Sequence, residues 1–420
     1  MSQVDDKMRI AIKAMDLLPG EMGGAGDYVY NLVHALARVD KQNEYMILLR
    51  HVNRDAFAGL NRPNFRSVVL ESPLARPMAG PGQVLLRLFL PWLMRHLALA
   101  KALRSLFQTF QAHLGYDLAR EIERLEPDLV HFPQSVADPL TLSLPSVLTL
   151  HDIQQEYHPE FFTAQELRFR RKTYRPSAEK ASLIITDSEF TRQTLVEKYQ
   201  VPATKVYSIF MGVDHAVFRP DHPQEELQRL KKKYRFPEQF AFYPANTWPH
   251  KNHVLLVQAW ARLRQRTRAD CPLVLTGKAR EGHKGFLAEV ERLGLQREIL
   301  YLGYVPRQEM PLLYAMASFL IFPSLFEGFG LPVLEAMASG CPVACSNLTT
   351  LPEIAGGAAL LFDPYSEEGI AEAAWRLLEE RETRQELRQR GLERAGEFSW
   401  EKTARETLQV YDKAVQAPAG

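Results

Sequence analysis

The sequence predicts an α/β protein built from two doubly wound parallel sheets. Three observations lead there. Its 420 residues suffice for two domains of ordinary size. Short β-branched runs alternate with longer amphipathic segments, as in crossover units whose helices cover both faces of a parallel sheet. A polar, turn-rich break from Gly212 to Gln239 separates two such series.

The first series opens with the run Met8 to Ile12, a Gly-rich turn and a helical stretch from Asp27 to Val39. Further strands are expected at Tyr45 to Leu49, Asp128 to Phe132, Ser146 to Leu150, Leu183 to Asp187 and Val206 to Phe210. Helical patterns span Ala164 to Ala181 and Glu189 to Tyr199. In the break, the basic run Lys231-Lys232-Lys233 reads as a solvated helix face. The second series places strands at Phe240 to Pro244, Leu273 to Thr276, Ile299 to Leu302, Phe319 to Phe322, Pro342 to Cys345 and Ala359 to Phe362. Helices are expected at His253 to Arg266, Phe286 to Leu293, Pro311 to Ala317 and Pro332 to Ser339, and from Glu367 the chain is almost wholly helical. The expected division is residues 1–212, residues 213–395, and a last helix over 396–420 that returns to the first domain.

Lys plus Arg number 51 and Asp plus Glu 50, so the net charge is +1. A balanced chain has no global field to hold a polyanion, which argues against nucleic acid as a partner. Cys271, Cys341 and Cys345 are too few for a disulfide framework and fit a reducing compartment. Asp5, Asp6, Lys7 and Arg9 precede any apolar run, unlike a secretory leader, and no stretch approaches 18 uninterrupted apolar residues. A cytoplasmic protein is expected.

Ligands of open parallel sheets sit at the carboxyl ends of the strands, so the loops there are the candidates for chemistry. The densest runs from Phe322 to Gly340. A strand ends near Pro323, Glu327 precedes the turn Gly328-Phe329-Gly330-Leu331, Pro332 suits a helix's first turn and Gly340 its C-terminal end. Backbone N–H groups at such a turn can approach an anion closely. Glu327 and Glu335 bracket the helix start, so both carboxylates can serve one ligand and accept paired sugar hydroxyls.

This run resembles the Glu-x7-Glu motif of the retaining glycosyltransferases of family 4. So do Gly303-Tyr304-Val305 with Met310 to Ala317, Ser346-Asn347 with Leu351-Pro352-Glu353 and Gly356, and Gly212-Val213-Asp214 with Phe218. The resemblance covers most of the chain. It implies the GT-B fold, two facing Rossmann-like domains. It also implies that Glu327 contacts the donor sugar, that Glu335 takes the ribose hydroxyls, and that Gly328, Phe329, Gly330 and Leu331 bind phosphates and sugar through their backbone. Val305 belongs to the same donor side.

Lys251 opens a helix after the strand at Phe240 to Pro244. By itself it reads as a solvated lysine; at the matching family position it neutralises the diphosphate as a compact charge. Many members carry an arginine a few residues earlier, where this chain has Asn246. The clamp is therefore expected to rest on Lys251, backbone amides and His250. Any tight turn can use Gly23-Gly24-Ala25-Gly26, but its place after the first strand is similar to the family loop against the donor phosphates, which gives Gly24 and Gly26 that role. A lone histidine is usually structural, yet His151-Asp152 matches the family's pair beside the donor sugar, and Ser188 has a similar place.

No Asp-x-Asp triplet occurs in the chain, so no metal site and no cofactor is expected, the nucleotide sugar being a substrate. The resemblance implies a retaining hexosyltransferase, with mannose from GDP-mannose favoured by the stretch Pro323 to Asp363. A UDP-hexose donor and an epimerase on the same fold are the alternatives. Between Glu71 and Asp117 there is no acidic residue, while Arg76, Arg87, Arg95, Lys101 and Arg104 punctuate leucines and aromatics. Residues 72–116 read equally as a surface lying on anionic membrane and as a buried helical pair with solvated arginines. Membrane contact would suit a lipid-linked saccharide acceptor.

Overall fold

A computed structural model describes residues 7–17, 23–70, 117–267 and 269–416. The basic, apolar stretch 72–116 lies outside the described residues.

The first seven strands are β1 (Arg9–Lys13), β2 (Glu44–Leu49), β3 (Phe65–Val69), β4 (Leu129–Phe132), β5 (Ser146–Thr149), β6 (Leu183–Thr186) and β7 (Val206–Ser208). They form one sheet in the order β3-β2-β1-β4-β5-β6-β7. The other six are β8 (Ala241–Pro244), β9 (Leu273–Thr276), β10 (Ile299–Tyr301), β11 (Phe319–Phe322), β12 (Val343–Ser346) and β13 (Leu360–Phe362), ordered β10-β9-β8-β11-β12-β13. The pairings within each are parallel, with Ile10 opposite Tyr45 and Leu129, and Leu320 opposite Phe242 and Val343. Strands covered on both faces need apolar residues on both, and Ile10-Ala11-Ile12 and Phe319-Leu320-Ile321-Phe322 are wholly inaccessible. Two doubly wound parallel sheets are therefore present, as the alternation predicts.

The α-helices are α1 (Gly24–Val39), α2 (Leu118–Glu123), α3 (Ala164–Lys180), α4 (Glu189–Tyr199), α5 (Gln224–Tyr234), α6 (His253–Arg266), α7 (His283–Arg292), α8 (Met310–Met316), α9 (Leu331–Ala338), α10 (Leu351–Ala355), α11 (Glu367–Glu379), α12 (Arg381–Ala395) and α13 (Trp400–Gln416), the last three following the final strand. Elements β3, α2 and α10 are not expected from the sequence, and of α5 only the solvated face at Lys231-Lys232-Lys233 is. Helix α5 falls inside the stretch read as a break, and its charge placement explains its stability. Glu225 and Glu226 occupy its first turn and Lys231, Lys232 and Lys233 its last, each sign at the favourable end of the helix dipole.

The chain divides into two compact units. One comprises Met1–Leu148, Lys180–Leu183 and Tyr411–Gly420; the other comprises Thr149–Glu179 and Ile184–Val410. In the first, the end of α13 packs against β4, where Tyr411 Oη lies 2.7 Å from His131 Nδ1 and the two rings meet edge to face. In the second, the start of α13 is held by Thr403, whose hydroxyl donates to the Phe210 carbonyl at 2.7 Å. Cys271, Cys341 and Cys345 are buried free thiols. Among the described residues no helix is long and apolar enough to cross a membrane.

Candidate functional site

Strand order in the second sheet reverses between β8 and β11, and a crevice opens at the carboxyl ends of strands at such a point. Lys251 follows β8 and Glu327 follows β11. The tight turn Pro249–Lys251 ends at Asn252, whose φ of 59° lies in the left-handed region. The Asn252 amide donates to the carbonyls of Pro323 (3.2 Å) and Pro364 (2.7 Å). The His250 carbonyl accepts from Leu325 N at 2.8 Å and from Ser324 Oγ at 3.3 Å. These bonds fasten the two loops together and bring Lys251 Nζ onto Glu327 Oε1. The side chains of this pair are only 17% and 12% exposed, so their attraction is less screened than that of a surface pair. Tyr243 Oη donates to the Lys251 carbonyl at 2.5 Å, fixing the turn from beneath.

A second cluster meets the Glu327 loop. His151 follows β5, and its Nδ1 lies 2.5 Å from Oδ2 of Asp187, the residue after β6. Ser188 caps α4, accepting from Thr191 N, and its hydroxyl donates to the Gly328 carbonyl at 3.0 Å. A Cβ on Gly328 would stand 2.4 Å from the His151 carbonyl oxygen, so only glycine permits this approach. Glu353 seals the same corner, its two carboxylate oxygens accepting from Glu189 N (2.8 Å) and Phe190 N (3.2 Å) at the start of α4. Burial pushes the Glu353 carboxyl above its usual value. Five expected site residues, Lys251, Glu327, Gly328, His151 and Ser188, are thus brought together.

Other expected residues have different duties. Asp152 accepts from Gln154 N at 2.9 Å, capping a turn, and lies 3.7 Å from Arg170. Phe329 is buried beside Phe210 and Phe398, and Val305 is buried as well, so each can offer a ligand only its backbone. Gly330, at φ 108°, turns the chain into α9, where Leu331 and Pro332 take the first positions. Asn246 Oδ1 accepts from Lys278 N at 2.6 Å, and Thr247 Oγ1 accepts from Arg280 N at 2.7 Å. Asn246 thereby pins the loop after β9. Desolvation lowers the His250 imidazole to about 2, so it stays neutral and can join a phosphate clamp only through a ring N–H, not as a charge. Gly24 and Gly26 lie in the first turn of α1, in the other unit.

Glu335 sits midway along α9. Burial raises its carboxyl to about 7, against the lowering effects of Arg307 and of a hydrogen bond from Tyr314 Oη, 2.9 Å away. Tyr314 and Asp187 are the two residues of this region that sequence reading passes over. An acidic residue directly after the apolar run Leu183 to Thr186 is the signal that could have found Asp187. Nothing in the α8 sequence distinguishes Tyr314 from an ordinary core aromatic. Among the described residues, no three His, Cys, Asp or Glu side chains converge as a metal site requires.

Two family models match, "Glycosyltransferase Family 4" over residues 22–217 and "Glycosyl transferases group 1" over residues 225–394. An O-antigen chain mannosyltransferase B of Escherichia coli is 36% identical over 266 residues, covering 63% of this chain and 70% of that protein. A serotype-specific mannosyltransferase WbdA, also of Escherichia coli, is 30% identical over 322 residues, covering 73% of this chain but 39% of its own length. Among solved structures, Anabaena Alr3699/HepE in complex with UDP and glucose superposes with a TM-score of 0.69 at 18% identity, over 97% of this chain and all of that one.

Proposed function

This chain belongs to the family 4, group 1 glycosyltransferases and has their GT-B fold, and we propose that it moves mannose from GDP-mannose to a saccharide, with retention of configuration and without an essential metal. The observation that carries this reading is the Lys251–Glu327 pair set against the His151–Gly328 contact. A departing nucleoside diphosphate gathers negative charge while the sugar carbon gathers positive charge. The pair offers one group of each sign within a single contact. When a donor enters, the ammonium of Lys251 exchanges its carboxylate partner for the diphosphate, and Glu327 is released to accept from the sugar hydroxyls. Backbone N–H groups of the Gly328–Leu331 turn supply further fixed dipoles, which act without reorganisation during bond breaking. Glu335 accepts from the ribose hydroxyls. The leaving phosphate takes the acceptor's proton on the same face from which it departs, which preserves configuration without a covalent intermediate.

Mannose as the sugar, and cell-envelope polysaccharide as the product, are favoured by the two mannosyltransferase relatives, one of which is described as acting on an O-antigen chain. A lipid-linked acceptor would bring the enzyme to an anionic membrane surface. Helix α3 suits such contact: Arg168, Arg171, Lys172 and Arg175 are exposed at helical spacing along one side, next to Phe169, which is 56% exposed. Flotation with anionic liposomes tests this, and a protein left wholly in the unbound fraction would contradict it.

The direct test of the reaction is a thermal-shift panel of GDP, UDP and ADP followed by turnover of the matching sugar donors in excess chelator. A nucleotide that binds only the native state raises the midpoint by mass action. GDP is expected to give the largest shift, and GDP-mannose the fastest release of diphosphate. A larger shift by UDP would replace the donor, and a sugar nucleotide epimerised without any acceptor would replace the reaction class.

A further inference from the structure

Thr349 is held in a backbone conformation that its own side chain opposes. It lies between β12 and α10, with φ at 55°. A β-branched residue enters this left-handed region only under constraint, because its Cβ crowds the following carbonyl. The residues on either side supply that constraint. Asn347 N donates to the Phe362 carbonyl at 2.8 Å, and Leu348 N donates to Ser346 Oγ at 3.1 Å. Thr350 and Leu351 are wholly buried, and the Thr350 carbonyl accepts from Ile354 N at 3.0 Å. Strain fixed from both sides in this way is kept where it places a group that the fold could not otherwise place.

The group placed here is a hydroxyl beside the loop bearing Glu327. Strand order β8-β11-β12 sets the loops after β8 and β12 on the two sides of the loop after β11. Lys251 comes from the first and Thr349 from the second. Thr349 Oγ1 accepts from Glu327 N at 3.2 Å, at the residue whose carboxylate meets Lys251. That bond alone does not account for the residue. One amide-to-hydroxyl bond is no larger than the cost of the left-handed backbone, and a glycine would remove the cost. A hydroxyl that accepts from an amide still has its own proton to give. Among the described residues no acceptor receives that proton, and Thr349 is half-buried, not sealed.

We propose that Thr349 is a specificity-determining residue of the sugar subsite, its hydroxyl donating a hydrogen bond to an oxygen of the donor sugar beside the hydroxyls from which Glu327 accepts. This rests on the reading of the site as a sugar-nucleotide site. A carboxylate only accepts, so Glu327 by itself tests whether the sugar carries a hydroxyl proton. A donor next to it tests whether the sugar also offers an oxygen in the neighbouring place. The Glu327 amide occupies one lone pair of Thr349 Oγ1 and leaves the O–H to point away from that amide. A sugar with hydrogen in place of this oxygen, or with the oxygen on the other face of its ring, leaves the Thr349 proton unmatched, and a site built around such a bond rejects it. The work is thereby divided. Lys251 and the backbone turn hold the diphosphate whatever the sugar, whereas Thr349 and Glu327 read the sugar.

The test is calorimetric titration of the full-length protein with GDP, UDP, GDP-mannose, UDP-glucose and UDP-galactose, followed by turnover of the preferred donor. Thr349→Val keeps the branched shape and the strained backbone but has no hydroxyl. It is expected to leave the Kd of the bare nucleotide within about twofold and to weaken the matching sugar nucleotide about tenfold. Thr349→Ser is expected to restore the sugar nucleotide. Thr349→Gly guards against a folding defect: relief of the backbone offsets the lost bond to Glu327 N, so its denaturation midpoint should stay near wild type while the sugar is lost as in Thr349→Val. Monodeoxy analogues of the preferred sugar locate the contact. One of them should cost the wild type about tenfold and Thr349→Val nothing further. Sugar-nucleotide binding by Thr349→Val equal to wild type would overturn the proposal. So would equal losses for bare nucleotide and sugar nucleotide, or deoxy analogues that cost the two proteins alike, since either marks a merely structural residue. A wild type that binds and turns over none of these donors would overturn the functional reading itself, an outcome distinct from an active wild type that Thr349→Val matches.

Discussion

At the scale of single residues, the site depends on close approaches that leave no room for error. Gly328→Ala would place a Cβ 2.4 Å from the His151 carbonyl oxygen, and the loop bearing Glu327 must shift to accept it. A displacement near 1 Å at reacting groups costs about 100-fold in rate; steady-state donor turnover should fall by at least that much while far-ultraviolet circular dichroism stays unchanged. Glu335 gives a prediction in pH. Its folded-state value of about 7 exceeds its ordinary 4.5, so the folded chain holds this proton longer than the unfolded chain does. The group's contribution to stability therefore declines as pH rises from about 4.5 to about 7. In its proposed role as acceptor from the ribose hydroxyls it gains capacity over the upper part of that window, so donor affinity should rise as pH passes about 7. Tyr314→Phe removes the hydrogen bond that favours the ionised carboxyl. The rise should then move to higher pH, with donor affinity at pH 7 weakened roughly tenfold, the value of a hydrogen bond to a charged group; titrating the nucleotide across pH 6 to 9 checks both. Glu327 was legible in sequence through its place in a dense motif, and Lys251 and His151 only through their match to positions of a known family. Asp187 and Tyr314 were not, since their importance lies in what they touch across 36 and 21 residues of chain.

At the scale of elements, the sequence marks out crossover units where apolar runs are long and β-branched, and fails where an element is short or polar. β3 is the sequence Phe-Arg-Ser-Val-Val at the sheet's edge, with Arg66 and Ser67 exposed, and it lacks the apolar run that identifies its neighbours. Helix α5 has Leu230 as its buried residue and is recognisable by charge order rather than hydrophobic period. Helix α9, by contrast, is written into the sequence by Gly330, Pro332 and Gly340, each at a position whose backbone demands it. The capping of α4 joins these scales. Ser188 satisfies one amide inside the helix's own sequence, but Glu353 reaches two more from 164 residues away. Glu353→Ala should leave Glu189 N and Phe190 N without that acceptor and lower stability by about 1–2 kcal/mol. Chemical denaturation should show the loss as a lower midpoint at unchanged slope; an unaltered midpoint would show that solvent replaces the carboxylate without cost.

For the whole molecule, the reversal of strand order places the chemistry. Each sheet reverses once, between β1 and β4 and between β8 and β11, and the loops at the second reversal hold the ammonium and the carboxylate that a sugar nucleotide needs. Balanced net charge leaves the work to local groups: one lysine, the backbone turn after Glu327 and the helix start behind it. With asparagine at position 246 and a neutral imidazole at 250, Lys251 is the principal cation expected on the diphosphate. Calorimetric titration of GDP into the wild type and into Lys251→Ala, both in excess chelator, tests this most directly. The wild type should bind one GDP per chain without any divalent ion, and the variant should bind at least tenfold more weakly. Equal affinities in the two proteins, or binding by the wild type only after magnesium is restored, would contradict the account.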